Sequence, residues 1–227
     1  MPGVIFCTEC RFLGKVYAVS VTAPVQSHRE RKKLATRQAI HDAAFELVDR
    51  FGLSGTTIEA ISDRAGVAPR TFWSYYASKE DAVIDRDPEA PAHLAVALMA
   101  RPAEEDAMTA LRCTLEEHID ARLVDSKRAV RRQQLIRREP QLMAAVAASF
   151  DDYERTLVAG VAQRLGTDPA TDMRPGVLVA AASGASRVAQ QKWADHKGRQ
   201  PFPALMEEAF AALAAGLAPM LRKRAGR

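Results

Sequence analysis

Arg70, Thr71, Trp73 and Tyr75 are crowded into six residues of the stretch TTIEAISDRAGVAPRTFWSYYASK, Thr56 to Lys79. Arg70 carries a planar fork of N–H donors that can pair with two acceptors on the edge of a guanine. Thr71 and Tyr75 carry hydroxyls, and Trp73 an indole N–H. Phe72 and Tyr76 are four apart, so one helical face takes them inward and leaves the other four outward. Two further large aromatics on an outward face are costly to expose without a partner. The chemistry this set suits is recognition of a base-paired polyanion.

The elements that hold these side chains are also legible. Thr56 and Glu59 form a T-x-x-E pattern, predicted to cap a helix at Thr56. Ile58, Ile61 and Ala65 follow at helical steps, and Gly66 suits the left-handed residue that ends a helix. Val67 fills the turn, and Pro69 fits the first position of a second helix. Ser78 is placed to cap a third, with Asp81 three residues on. Two short helices about a glycine turn form a helix-turn-helix. Upstream, Ile40, Ala43, Ala44, Leu47, Val48 and Phe51 make the inner face of a first helix, stopped by Gly52.

From Arg31 to Ile84 the chain resembles the N-terminal domain of the tetracycline-repressor (TetR) family of bacterial transcription regulators. The pieces that carry the likeness are AAFELVDRFGLSGTTIEAISDRAGV and TFWSYYASKEDAV, without gaps. The resemblance implies a three-helix DNA-binding domain. It implies that Thr57 binds a phosphate, that Ala68, Pro69, Arg70 and Thr71 open the recognition helix at the major groove, and that Lys79 contacts a phosphate. Trp73 stands where the family usually has Tyr, Tyr75 where it often has His, and Tyr76 where it usually has Phe. Ala68 and Pro69 replace more polar residues, which reduces the base hydrogen bonds this helix can make. The LIRREPQLMAAV segment is loosely similar to the mycofactocin-regulator type.

The chain has 227 residues and a net charge of +4. Residues 28–37 carry Arg29, Arg31, Lys32, Lys33 and Arg37 against Glu30 alone, a basic lead into the helix-turn-helix that suits phosphate neutralisation. Ser27 and Glu30 make a second capping box, so the folded part is expected to begin at Ser27. Residues 1–26 read as an extension, either a flexible arm or a stretch upstream of a true start at Val21. Cys7 and Cys10 form half a zinc motif with no second half, and Cys113 is alone, so no metal and no disulfide framework is expected. No phosphate loop, nucleophile elbow or zinc-protease motif occurs, and Glu104–Glu105, Glu116–Glu117 and Asp151–Asp152 are adjacent pairs that point apart on a helix. The reading is of a cytoplasmic binding protein, with no enzyme activity, no cofactor and no membrane partner.

Three regions are expected: the extension at 1–26, a DNA-binding domain at 27–87, and an all-helical effector-binding and dimerisation domain at 88–227. Pro88 and Pro91 mark the seam. Helices are predicted near 92–100, 103–123, 126–138, 140–165, 168–196 and 201–224, and no alternating β pattern occurs, so the fold class is all-α. The effector site is expected among Leu115, His118, Ile119, Met143, Phe150 and Tyr153, apolar positions with two polar tips. Arg128, Arg131, Arg132, Arg137 and Arg138, with Arg122 nearby, read as a solvated face or, less readily, as a seat for an anionic ligand. Ala180, Ala181, Ala182, Gly184 and Ala185, then Ala209, Ala211, Ala212, Ala214, Ala215 and Gly216, permit close helix approach, where the resemblance implies a homodimer interface. The function expected is a homodimeric repressor that binds a pseudo-palindromic operator on double-stranded DNA and is released by a small-molecule effector. The alternative is an architectural DNA binder without one.

Overall fold

The computed structural model describes residues 27–120, 123 and 125–217. The extension with Cys7, Cys10 and Val21, Arg122, and the stretch expected to carry the last helix to Arg224 lie outside the described residues. Ten helices and no strand occur among the described residues: α1 His28–Phe51, α2 Ile58–Ala65, α3 Pro69–Phe72, α4 Lys79–Ile84, α5 Ala90–Ala100, α6 Ala107–Asp120, α7 Ser126–Arg138, α8 Pro140–Leu165, α9 Arg174–Asp195 and α10 Phe202–Leu217. The fold is all-α, as expected.

Helix α1 starts at the expected box: the Ser27 hydroxyl accepts from the Glu30 N–H, and the Glu30 carboxylate accepts from the Ser27 N–H. Two starts fall well inside the expected ones for local reasons. α6 begins at Ala107 rather than Ala103, because Asp106 accepts from the Met108 and Thr109 N–H groups. α9 begins at Arg174 rather than Asp168. Pro175 falls in its first turn, where a missing N–H costs nothing, and Asp172 accepts from the Arg174 N–H.

Two cores hold the chain. The larger joins α5 to α10 through residues such as Leu98, Leu111, Val130, Leu157, Leu178 and Met206. At Gly160 a side chain would meet Leu98 at 3.0 Å, so the glycine lets α5 lie close on α8. The smaller core gathers Ile40, Ala44, Val48, Leu53, Ile61, Phe72, Tyr76 and Val83 from the first four helices. It also takes Leu135 and Ile136 from α7 and Leu142 from α8. The seam at Pro88 is therefore a break in helix, not in packing.

That explains two departures on α1. Phe51, expected on the inner face, is 54 % exposed and lies beneath the Arg50 guanidinium. Phe45 and His41 are buried instead. Helix α1 presents a second covered face, to which α7 brings the Arg128 guanidinium, 5.1 Å from the Phe45 ring centre.

Candidate DNA-reading face and effector domain

The register of the α2 cap corrects the sequence reading by one residue. Thr57, not Thr56, is the cap: its hydroxyl accepts from the Ala60 N–H at 3.2 Å. Thr56 is buried and donates to the Gly52 carbonyl at 2.9 Å. Thr57 stays exposed, with its own hydroxyl hydrogen available. Gly66 ends α2 in the left-handed conformation, φ 67°, and Val67 donates to the Ser62 carbonyl across the turn.

Helix α3 is shorter than the sequence suggested. Ala68 stands at its cap without a side-chain bond, and α-helix persists only from Pro69 to Phe72. Tighter turns continue it, as Ser74 donates to the Thr71 carbonyl and Tyr75 to that of Phe72. An uncapped start and a run of β-branched and aromatic residues, all poor helix formers, account for the short length. The Ser74 hydroxyl also bonds back to the Arg70 carbonyl. Phe72 and Tyr76 are buried as expected. Ala68, Pro69 and Arg70 are exposed and Thr71 half-buried. Trp73 is 56 % exposed and stands edge-on to Phe72, ring centres 5.5 Å apart. Tyr75 is different: it is half-buried against the small core and borders a cleft shared with Arg86, Pro88, Pro91 and Asp152.

Lys79 opens α4, whose cap Ser78 accepts from the Asp81 N–H as expected. Its ammonium donates to the Leu53 carbonyl at 2.7 Å and the Thr56 carbonyl at 3.0 Å. Two of its three donors are thus spent on the α1–α2 loop. At the other end of α4, Asp85 takes the left-handed conformation and accepts from the Tyr76 hydroxyl at 2.8 Å and from the Arg37 guanidinium. Burial raises the Tyr76 phenol well above its usual range, and Asp85 adds to the shift. Tyr76 is therefore a neutral donor that ties α3 to the end of α4.

The arginine run is neither a bare surface nor an open anion seat. Arg128 pairs with Asp42 and Arg131 with Asp49, both on α1. Arg132 donates to the Ile84 carbonyl at the end of α4, and Arg137 pairs with Asp195 of α9 at 2.7 Å. The first three of these bonds strap α7 across the DNA-reading head, and the Arg137 pair holds it to α9. Arg86, in the linker, pairs with Asp152 of α8 at 2.6 Å and fastens the other side.

The six residues expected around an effector do not share one setting. His118 and Tyr153 meet across α6 and α8, ring centres 5.8 Å apart. Leu115 and Ile119 lie in the large core, with Tyr153 packed against it. Phe150 is half-buried, and Met143 is 53 % exposed. His118 also borders a cleft of about 570 Å³ whose other walls are Leu34, Arg37 and Gln38 of α1, Asp85, Asp87 and Ala90. This cleft and the one beside Tyr75 lie at the junction of the two domains. Sequence reasoning missed the junction residues Asp85, Arg86 and Glu139, whose only sequence signal was charge beside proline. Among the described residues no cluster of His, Cys, Asp and Glu could hold a metal ion, and no helix is long and apolar enough to cross a membrane.

Comparison with known proteins agrees with this geometry. Residues 40–83 match the family model for bacterial regulatory proteins of the tetR family, and residues 105–218 match the MftR C-terminal domain. The chain is 32 % identical over 171 residues to the HTH-type transcriptional regulator TcmR of Streptomyces glaucescens, covering 73 % of this chain and 76 % of that one. It is 28 % identical over 174 residues to MftR of Mycobacterium tuberculosis, a candidate regulator of mycofactocin biosynthesis, covering 75 % and 85 %. In fold it is similar to the fatty acid degradation regulator FadR of Bacillus halodurans, with a TM-score of 0.56 at 19 % identity over 80 % of this chain and 96 % of that one. It is also similar in fold to FadR of Bacillus subtilis, solved with stearoyl-CoA, with a TM-score of 0.53 at 19 % identity over 79 % and 98 %. The chain belongs to the TetR family of bacterial transcriptional regulators, with a C-terminal domain of the MftR type.

Proposed function

We propose that the protein acts as a homodimeric repressor, bound to a pseudo-palindromic operator and released by a small hydrophobic or amphipathic effector. The observation that carries this reading is the sharing of one core by both domains: Leu135, Ile136 and Leu142 complete the head that presents Arg70 and Trp73. A rearrangement of α7 and α8 cannot leave that head in place. An effector shifts the balance only by its differential affinity for the two arrangements.

Thr57 and Lys79 grip phosphates, while Ala68, Pro69, Arg70, Thr71 and Trp73 face the major groove; Tyr75, expected with them, borders the junction cleft instead. The exposed stripe of Val177, Ala180 and Val188 on α9, with Ala211, Ala212 and Ala215 on α10, supports pairing of two copies through these helices. The effector seat is placed at the His118–Tyr153 pair, with Leu115, Ile119 and Phe150 beside it. Met143, on the surface, is its least supported member.

A footprint on the promoter of the protein's own gene tests the reading. Two protected half-sites are expected, related by two-fold symmetry and spaced by ~34 Å or a multiple. A single asymmetric site bound by one monomer sinks it. Phe150→Ala should change the response to an effector found by thermal-shift screening and leave effector-free operator binding intact. If no ligand releases the protein from that operator, an architectural role replaces repression.

A further inference from the structure

The backbone of Leu53, in the loop between α1 and α2, is held from two domains at once, through the two successive peptide groups that flank its Cα. Its N–H donates to the Glu139 carboxylate at 3.3 Å, and its carbonyl accepts from Lys79 at 2.7 Å. Glu139 stands at the corner between α7 and α8, 86 residues further along the chain. We propose that Glu139 is a positioning residue for DNA binding: through the Leu53 backbone it sets the Lys79 ammonium and the Thr57 cap, and so carries the state of the effector domain to the phosphate-gripping loop. The proposal rests on the regulator reading above.

Four observations support it. Glu139 makes no side-chain cap bond to α8, although it occupies the cap position, so its carboxylate serves the loop and not its own helix. The Leu53 side chain is 1 % exposed, so the peptide cannot swing away without pulling leucine from the core. Lys79 bonds the Thr56 carbonyl as well, one residue before the cap of α2, so loop and lysine move together. Finally, Leu135, Ile136 and Leu142, on either side of Glu139, are buried in the head's core. The corner is therefore anchored to the head it positions. The arginine straps differ in target: Arg128 and Arg131 hold the body of α1, and Glu139 alone among the described bonds from the corner reaches the loop that leads to Thr57.

The test uses the full chain and a duplex carrying the footprinted promoter site. Glu139→Ala should weaken effector-free binding about tenfold, the scale of one hydrogen bond to a charged group. Glu139→Gln should stay within about twofold, because its amide oxygen still accepts from Leu53. The double variant Glu139→Ala with Lys79→Ala should lose less than the product of the single losses, since both hold the backbone of one residue, Leu53. Wild-type affinity in Glu139→Ala, equal losses in the Ala and Gln variants, or multiplicative single effects would each overturn the proposal. If Glu139→Ala does not fold, amide exchange decides: the Leu53 N–H should exchange slowly in the wild type and in Glu139→Gln, and fast exchange in the wild type overturns the bond. If the wild type binds no duplex, the regulator reading fails, while Leu53 exchange still judges the Glu139 contact.

Discussion

The two cores are built on different terms. The large one draws on α5 to α10, with Ala129 and Val130 coming from α7, and borrows nothing from the first four helices. The small one is assembled from α1 to α4 and is finished by α7 and α8. Dependence therefore runs one way: the core of the first four helices needs the C-terminal domain to close it, and the large core takes nothing from those helices. A head completed by another domain is a head whose geometry that domain controls. The coupling proposed above needs no long pathway, because α7 and α8 place Leu135, Ile136 and Leu142 in the head's own core.

The sharpest break of that comparison is to cut the chain. A fragment of residues 27–87 lacks Leu135, Ile136 and Leu142 and is about the size at which a single core is marginal. It should not unfold cooperatively, whereas residues 88–217 should keep a cooperative thermal transition followed by circular dichroism. A cooperative transition in the short fragment would make the shared core incidental. Within the full chain, Leu142→Ala removes a fully buried side chain from the junction and should cost ~2–5 kcal/mol by denaturant titration.

How much of this was legible follows the same division. The head is local: capping hydroxyls, Gly66, Pro69 and the aromatic pair lie within 24 residues, so their spacing alone marks a helix-turn-helix. The exception, Thr56 against Thr57, is a one-residue slip between two adjacent threonines that only the bond to Gly52 resolves. The junction was not legible. Phe45 and His41 lie off the single apolar stripe that helical periodicity picks out, and what covers them arrives with α7. The arginine run looked solvated because its partners Asp42 and Asp49 stand more than 80 residues away. For the residues expected around an effector, regular spacing identified Leu115 and Ile119 as apolar, and could not separate a core position from a pocket wall.

A smaller effect separates the two kinds of DNA contact in the head. Arg70→Ala should relax base preference at one position of the half-site, at a cost of ~1–3 kcal/mol if it pairs with guanine, without a matching loss on other sequences. Lys79→Ala should weaken all sequences alike and flatten the salt dependence by roughly one unit of log–log slope. It should also lower the melting temperature, because its ammonium satisfies the Leu53 and Thr56 carbonyls. Identical salt slopes and specificity profiles for the two variants would erase the division of roles.

The mildest expected effect is on pH dependence, and it too arises at the junction. His41 is buried on α1, and its Nδ1 lies 2.8 Å from the Ala82 carbonyl. A carbonyl only accepts, so Nδ1 carries a hydrogen in either protonation state of the ring. Burial pushes the imidazole pKa below its usual value, and the nearby Arg128 and Arg132 of α7 push the same way; the Ala82 carbonyl and Asp85 oppose them. The unfolded chain therefore takes up this proton first as pH falls. Stability is present in full above the ordinary imidazole range near 6.5 and is lost as pH drops through it toward the lower folded value. The slope for one proton cannot exceed about 1.4 kcal/mol per pH unit. Chemical denaturation between pH 7.5 and 5.5 should show stability declining toward acid, with a shallower decline in His41→Gln. Should the two proteins decline in parallel, His41 is not the group responsible, and α7 covers the head without tuning its protonation.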